Sequence, residues 1–183
     1  MRAKKLTYNA MFIALTFIAT YIVKIPTPGT GYVHLGDCVA LLAGAFLGPI
    51  AGALSAGVGM ALADLAGGYA LWAAGTFIVK FLMTFVFSVI IHKAIEDKSQ
   101  TKKYTSIIIF AGLISEAIMI AGYFAYNILI VLIVSGEFNA AALSAAVAAS
   151  IADIPFNILQ GTIAIAITIP ILGRLSKRNI ISD

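Results

Sequence analysis

The 183-residue chain is 61% hydrophobic and only 11% charged, with a mean hydropathy of +1.02. Soluble domains are about 45–50% apolar and about 25% charged, so this composition excludes an ordinary soluble fold and indicates an integral membrane protein. The single cysteine, Cys38, excludes an internal disulfide framework and a cysteine metal cluster. The net charge of +4 is less informative than the positions of the basic residues.

Six apolar segments predict six transmembrane helices, so we interpret residues 1–183 as a single all-α transmembrane domain. A helix needs about 20 apolar residues to cross a hydrocarbon core of about 30 Å. The second segment is shorter than this, and Gly48-Pro49 predicts a tight turn between it and the third. The predicted helices cover residues 6–25, 38–47, 50–65, 73–92, 105–134 and 141–172, with a lid loop at 26–37.

The lysine and arginine positions predict the orientation in the membrane. An even number of spans places both termini and the linker after the fourth helix on one side, whereas five or seven spans would separate the terminal charge clusters. That side holds ten of the twelve basic residues, so the positive-inside rule makes it cytoplasmic. The ten are Arg2, Lys4, Lys5, Lys93, Lys98, Lys102, Lys103, Arg174, Lys177 and Arg178. The lid loop is then expected on the outer side.

The lid loop is a polar, turn-rich insert between two apolar segments. Its two prolines fix φ and its three glycines permit positive φ, so the backbone is expected to bend here. The bend carries Tyr32, His34 and Asp37, which predicts a binding lid. Taken alone, a histidine between glycines is more typical of a solvated turn.

Lys80 is a charged residue within a predicted span. A helix rises about 1.5 Å per residue, which places Lys80 about 12 Å below Trp72 in the fourth helix. A lysine at this depth needs an acidic partner or a wet cavity. Glu116 and Asp153 are the acids expected to pair with it.

Polar residues share one face of each of the last two helices, and these two faces are expected to meet. They are Glu116, Tyr123 and Asn127 in the fifth helix and Asp153, Asn157 and Gln160 in the sixth. Such residues also join helices to one another, so for Asn127 and Gln160 a purely structural role and contact with a ligand are equally open. For Lys80, Asp153 and Asn157 together the sequence favours a binding site.

Small residues form a second pattern. Gly44, Gly48 and Gly52 repeat at intervals of four, a spacing that lets helices approach closely and favours packing inside the bundle. Ala10 and Ala14 show the same spacing on an otherwise bulky first helix. For these two alanines, docking to another membrane protein competes with internal packing.

Several catalytic patterns are absent from the sequence. No Walker A motif occurs, which excludes ATP hydrolysis by the P-loop route. His34 and His92 are expected on opposite sides of the membrane, which excludes a metal site or catalytic dyad that uses both. The membrane topology accounts for the positions of the basic residues, so these residues do not indicate a nucleic-acid-binding surface. We therefore expect no catalytic residue, metal site, cofactor or nucleic-acid partner.

Four segments carry a family resemblance over essentially the whole chain. They are Gly31-Tyr32-Val33-His34-Leu35-Gly36-Asp37, Leu47-Gly48-Pro49-Ile50-Ala51-Gly52, Ala63-Asp64-Leu65-Ala66-Gly67-Gly68-Tyr69 and Pro155-Phe156-Asn157-x-x-Gln160-Gly161. Together they resemble the substrate-binding S components of energy-coupling factor (ECF) transporters, on the riboflavin-transporter S-component branch. The motifs are moderately specific for the family and poor for substrate, because similar members serve different vitamins and precursors.

The resemblance implies a six-helix protein with cytoplasmic termini in a prokaryotic plasma membrane. Family members bind a water-soluble vitamin on the outer side under the first loop. They dock on a transmembrane coupling protein, the T component, which two cytoplasmic ATPases drive. The family's docking patch of small residues on the first helix corresponds here to Ala10 and Ala14. Its binding positions, in the first loop and helices four to six, correspond to Tyr32, His34, Asp37, Trp72, Lys80, Tyr123, Asn127, Asp153 and Asn157.

We expect a small heteroaromatic ligand that lies between aromatic rings and is oriented by a few polar side chains. The rings are Tyr32, Trp72 and Tyr123, and the polar side chains are Lys80, Asn127, Asp153 and Asn157. The sparse charge argues against a polyanion such as a phosphate ester. Pyridoxine or hydroxymethylpyrimidine suits these groups best, followed by riboflavin and pantothenate.

The competing class is a membrane protein that works alone. One form is a secondary transporter in which Lys80, Glu116 and Asp153 relay protons, and the other is a structural helix bundle.

Overall fold

The structure is a computed structural model that describes residues 2–28, 31–96 and 104–176. Six α-helices and one two-stranded hairpin occur in these ranges. They are, in chain order, α1 (Arg2–Ile22), β1 (Ile25–Pro26), β2 (Tyr32–Val33), α2 (Gly36–Leu47), α3 (Pro49–Ala66), α4 (Ala70–Glu96), α5 (Tyr104–Ser135) and α6 (Ala140–Ser176). Five of these helices are long and apolar enough to cross a membrane, and α2 is shorter. The predicted all-α, six-helix membrane fold is confirmed.

Half of the basic residues used to predict the orientation lie outside the described residues. They are Lys98, Lys102, Lys103, Lys177 and Arg178. Pro155 and Pro170 lie inside α6.

The lid differs from the predicted loop at both ends. Helix α1 ends at Ile22 instead of Ile25, and the next residues pair antiparallel with β2, with Ile25 opposite Val33 and Pro26 opposite Tyr32. Proline fits such a strand because a two-stranded ladder leaves one edge of each strand unpaired. At the other end α2 begins at Gly36, so Asp37 belongs to a helical first turn and not to the loop. An acidic side chain is favoured there by the helix dipole.

Helix α2 lies at the centre of the bundle. It contacts α1, α3, α4 and α6, and Leu41 is completely buried. The core continues through Met83 and Phe87 of α4 and Met119 of α5, all of them fully buried. Helix α1 is peripheral in contrast, since it packs on α2 and α3 and leaves large apolar side chains such as Leu15 and Ile18 exposed. This arrangement buries the start of α2 among other helices and leaves α1 open to lipid or to a partner.

Two of the three regularly spaced glycines pack between helices. A Cβ at Gly52 would lie 2.5 Å from the carbonyl oxygen of Ala43, and one at Gly44 would lie 3.1 Å from the carbonyl oxygen of Thr84. Gly48 has a different role, because its φ of +85° forms the turn between α2 and α3. The expected internal packing is therefore confirmed for Gly44 and Gly52.

Substitution of Gly52 by alanine is expected to lower the free energy of unfolding by about 1–3 kcal/mol. The new methyl group would clash with the backbone of Ala43 and Gly44, and relieving the clash requires a shift of helix α2. Thermal unfolding of the purified protein in detergent measures this. Gly173→Ala in α6 is the matched control, since nothing lies within 4 Å of its added Cβ. The control should be neutral or slightly stabilising, and equal stability of the two variants would contradict the prediction.

Candidate functional site

A cavity of about 40 Å³ lies under the lid hairpin, where the hairpin meets the α3–α4 turn, α5 and α6. Ligand pockets usually measure about 300–1,000 Å³, so side chains of the hairpin have to move before a ligand of ordinary size can enter. Aromatic rings and hydrogen-bonding groups line the cavity. The described lining residues are Thr27, Gly31, Tyr32, His34, Asp64, Tyr69, Trp72, Thr76, Tyr123, Asn127, Asp153, Asn157 and Gln160.

Tyr32 fastens the hairpin to the helix bundle. Its hydroxyl donates a hydrogen bond of 2.5 Å to Asp64 Oδ1 in α3, and its ring packs on Tyr69 with the centroids 4.8 Å apart. Burial and the neighbouring Asp64 raise the pKa of Tyr32 above its ordinary value, so the hydroxyl keeps its proton. Opening the cavity on this side requires Tyr32 to release Asp64.

Lys24 covers the outside of the same aromatic cluster. Its Nζ lies 4.7 Å from the ring centroid of Tyr32 and 5.3 Å from that of Tyr69, and it donates to the carbonyl oxygen of Ala63 at 3.3 Å. Cation–π contacts of this kind stabilise by roughly 0.5–1 kcal/mol at exposed sites. Lys24 thus supports the lid without lining the described part of the cavity.

His34 is held in its neutral form. The backbone N–H of Gly36 donates to its Nδ1 at 3.0 Å, which leaves the proton on Nε2. Burial lowers the pKa of His34 to about 3. The backbone N–H of His34 donates in turn to Gln160 Oε1 at 2.8 Å, which ties β2 to α6. His34 therefore offers the cavity a polar ring and no positive charge.

The predicted meeting of the polar faces of α5 and α6 is confirmed at Asn127 and Asp153. The amide of Asn127 donates to Asp153 Oδ2 at 3.2 Å, and its Oδ1 accepts from Trp72 Nε1 at 3.1 Å. Deeper on the same side, the Tyr123 hydroxyl donates to Thr76 Oγ1 at 3.2 Å. Side chains from α4, α5 and α6 thus form one continuous polar wall.

The predicted partners of Lys80 are wrong. Its Nζ pairs with Asp37 Oδ1 at 2.6 Å, and both side chains are completely buried. The pairing with Glu116 or Asp153 rested on placing Asp37 in a loop, whereas the start of α2 carries Asp37 into the core beside α4. Gln160 donates to the other oxygen, Asp37 Oδ2, at 2.5 Å.

Asp37 and Lys80 lie outside the described cavity lining, so neither reaches the cavity directly. Lys80 lies behind Tyr123, with its Nζ 5.0 Å from the ring centroid. Gln160 donates to Asp37 and accepts from the backbone N–H of His34. The ion pair of Asp37 and Lys80 therefore supports the lid through the side chain of Gln160. The geometry gives Asp37 and Lys80 a supporting position beneath the site.

Glu116 is buried at the interface of α5 and α6. It is 4% exposed, and within the described residues neither of its carboxyl oxygens has a hydrogen-bond partner. The carboxyl group lies beside Gly161, where an added Cβ would be 3.0 Å from Glu116 Oε2. Glu116 thus has no hydrogen bond to Lys80 or Asp153.

Seven of the nine predicted binding residues line the cavity, namely Tyr32, His34, Trp72, Tyr123, Asn127, Asp153 and Asn157. The predicted set did not include Thr27, Gly31, Asp64, Tyr69 and Thr76, and for Gln160 the sequence left ligand contact and a structural role equally open. The sequence contained signals for three of these residues. Asp64 and Tyr69 fall within the third family segment, and Thr76 follows Trp72 by one helical turn.

Ala10 and Ala14 are exposed on α1 at a distance from the cavity. They line an apolar groove between α1 and α3, together with Ile13, Phe17, Leu62, Leu65 and Ala66. The small side chains make this part of the bundle surface concave.

Comparison with known proteins gives a family match and a fold match. The family model of the ECF-type riboflavin transporter S component matches residues 1–177. A Pyrococcus woesei protein named "Uncharacterized protein in gap 3′ region" is 41% identical over 64 residues, or 34% of this chain and 43% of that protein. A solved structure described as "Structure and mechanism of the S component of a bacterial ECF transporter" has a TM-score of 0.64 at 23% identity. That similarity covers 97% of this chain and 98% of the other, which shows a shared fold.

Proposed function

We propose that this chain, which belongs to the family of ECF-type riboflavin transporter S components, binds a water-soluble vitamin or vitamin precursor at the lidded end of its bundle and delivers it to an ATP-driven importer. The observation that carries the proposal is the cavity under the hairpin. Its aromatic rings and its convergent amide and carboxyl groups are the combination that holds and orients small polar ring compounds.

The ligand proposed first is pyridoxine or hydroxymethylpyrimidine, with riboflavin and pantothenate as further candidates. A single flat ring fits between Tyr32, Trp72 and Tyr123 once the hairpin has opened. Hydrogen bonds then come from Asn127, Asp153 and Asn157, while Lys80 acts from behind Tyr123.

The proposed partners are a T component in the membrane and two cytoplasmic ATPases. The sequence has no Walker A motif, so ATP hydrolysis by the P-loop route would come from such partners. The exposed groove at Ala10 and Ala14 is the proposed docking surface. The positive-inside rule then places the lid on the outer side of the cell membrane.

The second candidate is a secondary transporter with a proton relay through Lys80, Glu116 and Asp153. The observation that favours it is the buried carboxyl group of Glu116, which lacks a hydrogen-bond partner among the described residues. The ion pair of Lys80 with Asp37 counts against it. Uptake by this chain alone that resists ATP depletion would favour the relay over the S-component role.

Replacement of Asn157 by alanine is expected to weaken vitamin binding by about 10-fold or more, since the loss of about 1.4 kcal/mol corresponds to a factor of ten. Asn157 lines the cavity and is only partly buried, so its amide is available to a ligand. Isothermal titration of the purified protein measures the affinity, after a thermal-shift screen against the B vitamins has selected the ligand.

Asn9→Ala is the matched control, because Asn9 lies in α1 away from the cavity and contacts Ser55 through its backbone carbonyl. Unchanged affinity in Asn157→Ala would place the ligand elsewhere in the protein. Absence of a thermal shift with every B vitamin would contradict the proposed function itself.

A further inference from the structure

The cavity wall is acidic. Its described residues include two carboxyl side chains, Asp64 and Asp153, and no lysine or arginine. The neutral His34 adds no positive charge. A ligand in this cavity therefore meets two carboxyl groups, and no lysine or arginine among the described residues of the wall.

The two lysines near the cavity already have partners. Lys80 forms its ion pair with Asp37 beneath Tyr123. Lys24 lies against the rings of Tyr32 and Tyr69, donates to the carbonyl oxygen of Ala63 and attracts the carboxyl group of Asp64 electrostatically. Neither lysine lines the described cavity, so a ligand anion would gain no direct hydrogen bond from them.

Asp64 has spare hydrogen-bonding capacity at the cavity. Its Oδ1 accepts from Tyr32, whereas its buried Oδ2 has no close hydrogen bond among the described residues, and the Thr76 hydroxyl is a neighbouring donor to the same carboxyl group. The side chain is only 2% exposed. A buried carboxylate oxygen without a partner is costly, so a donor that arrives with a ligand would relieve this cost.

Asp153 of α6 is the second acidic group of the cavity wall. Its Oδ2 accepts from Asn127 at 3.2 Å, which fixes the carboxyl plane. A Cβ added to Gly31 of the lid would lie 3.9 Å from the same oxygen, so the hairpin covers Asp153. Asp64 and Asp153 thus face a space that the lid shields from water, where electrostatic attraction is stronger than in bulk solvent.

The aromatic rings of the wall favour the same ligand charge. Ring faces attract cations, and aromatic cages are a known means of binding ammonium groups. Within this protein, lysine ammonium groups already lie within 5.3 Å of the ring centroids of Tyr32 and Tyr69, and of Tyr123 at 5.0 Å. These contacts show that the three rings accept an ammonium group, and a ligand cation would use the ring faces that the lysines leave open.

We propose that the ligand is a cation: a flat heteroaromatic ring that carries an ammonium group or a positive charge within the ring, held by Asp64 and Asp153 among the tyrosine and tryptophan rings. This inference rests on the proposed vitamin-binding function and narrows it. Anions such as pantothenate are disfavoured by the two carboxyl groups. Among related ring compounds, the aminated form binds more tightly than the hydroxylated one.

Titration calorimetry with the purified full-length protein in detergent tests this with two matched probes. Pyridoxamine and pyridoxine share one ring and differ in an aminomethyl against a hydroxymethyl group, and thiamine and pantothenate extend the series to a ring cation and an anion. Pyridoxamine is expected to bind at least about 10-fold more tightly than pyridoxine at neutral pH, and thiamine more tightly than pantothenate.

Asp153→Asn keeps the shape of the side chain and an oxygen for the Asn127 amide while it removes the charge. It is expected to bring pyridoxamine and pyridoxine to within about 3-fold of each other, mainly through weaker pyridoxamine binding. Asp64→Asn is the second variant, and it keeps the inference testable if Asp153→Asn fails to fold. Glu137→Gln is the matched control, because this carboxyl group is exposed in the α5–α6 turn and should not alter the ratio.

Three outcomes would count against the inference in distinguishable ways. Tighter binding of a neutral or anionic vitamin, or an unchanged ratio in both folded aspartate variants, would overturn the cationic ligand and leave the vitamin-binding function intact. Absence of binding by every vitamin would overturn the proposed function and with it this inference.

Discussion

Replacement of Lys80 by methionine is expected to lower the free energy of unfolding by about 3–5 kcal/mol, because it leaves the charge of Asp37 buried without a partner. Both side chains are completely inaccessible to solvent, and the pair is closed by a contact of 2.6 Å. Methionine retains most of the length and apolar surface of the lysine side chain, so packing changes little. Denaturant or thermal unfolding of the purified protein in detergent measures the loss.

The double variant Lys80→Met with Asp37→Asn separates charge from packing. It removes both charges, and the asparagine oxygen can still accept a hydrogen bond from the amide of Gln160. It is expected to regain more than half of the stability lost in the single variant. A single variant within about 1 kcal/mol of the parent would show that the ion pair has little influence on stability. Equal instability of the single and double variants would indicate that lysine packing matters more than its charge.

The same pair illustrates what the sequence could and could not predict. The depth of Lys80 in α4 follows from helical rise alone, and its need for a counter-ion follows from the cost of charge in a membrane. The identity of the counter-ion depended on where α2 begins. The glycine at position 36 is a weak helix signal, so Asp37 was assigned to the loop, 43 residues from the lysine that it contacts.

The helices themselves were well predicted, because long apolar runs report membrane spans directly. The hairpin was missed, since strands of two residues, Ile25–Pro26 and Tyr32–Val33, are too short to show a periodic pattern. The position of Tyr32 in the lid was evident, but its hydrogen bond to Asp64 arises from the packing of the hairpin on α3 and has no local sequence signal.

The site was predicted best where it lies on single helices. Period 3.6 placed Asn127 and Asp153 on facing stripes, and their hydrogen bond confirms that arrangement. Asp64 and Tyr69 were harder to assign because they flank the α3–α4 turn, where no helical face continues. Their contribution depends on the lid folding over that turn, and this is a tertiary feature.

Ala14→Trp is expected to reduce ATP-dependent vitamin uptake by about 10-fold or more while vitamin affinity stays within about 2-fold of the parent. Ala14 is exposed and lines the groove between α1 and α3, and an indole ring there would fill the concavity in which a partner helix is proposed to lie. Small residues permit such close helix approach in membranes. The measurements are uptake in cells that express the complete transporter, and titration of the purified chain.

The matched control is Ala145→Trp, which adds the same bulk to an exposed alanine of α6 that does not line the groove. It should leave both uptake and affinity unchanged, since nothing is proposed to dock there. Loss of vitamin binding in Ala14→Trp would mean that Ala14 supports the fold of the bundle. Full uptake would place the docking surface elsewhere. The cavity and the groove lie on different parts of the molecule. Only a docking role for the groove therefore predicts that Ala14→Trp loses transport and keeps its vitamin affinity.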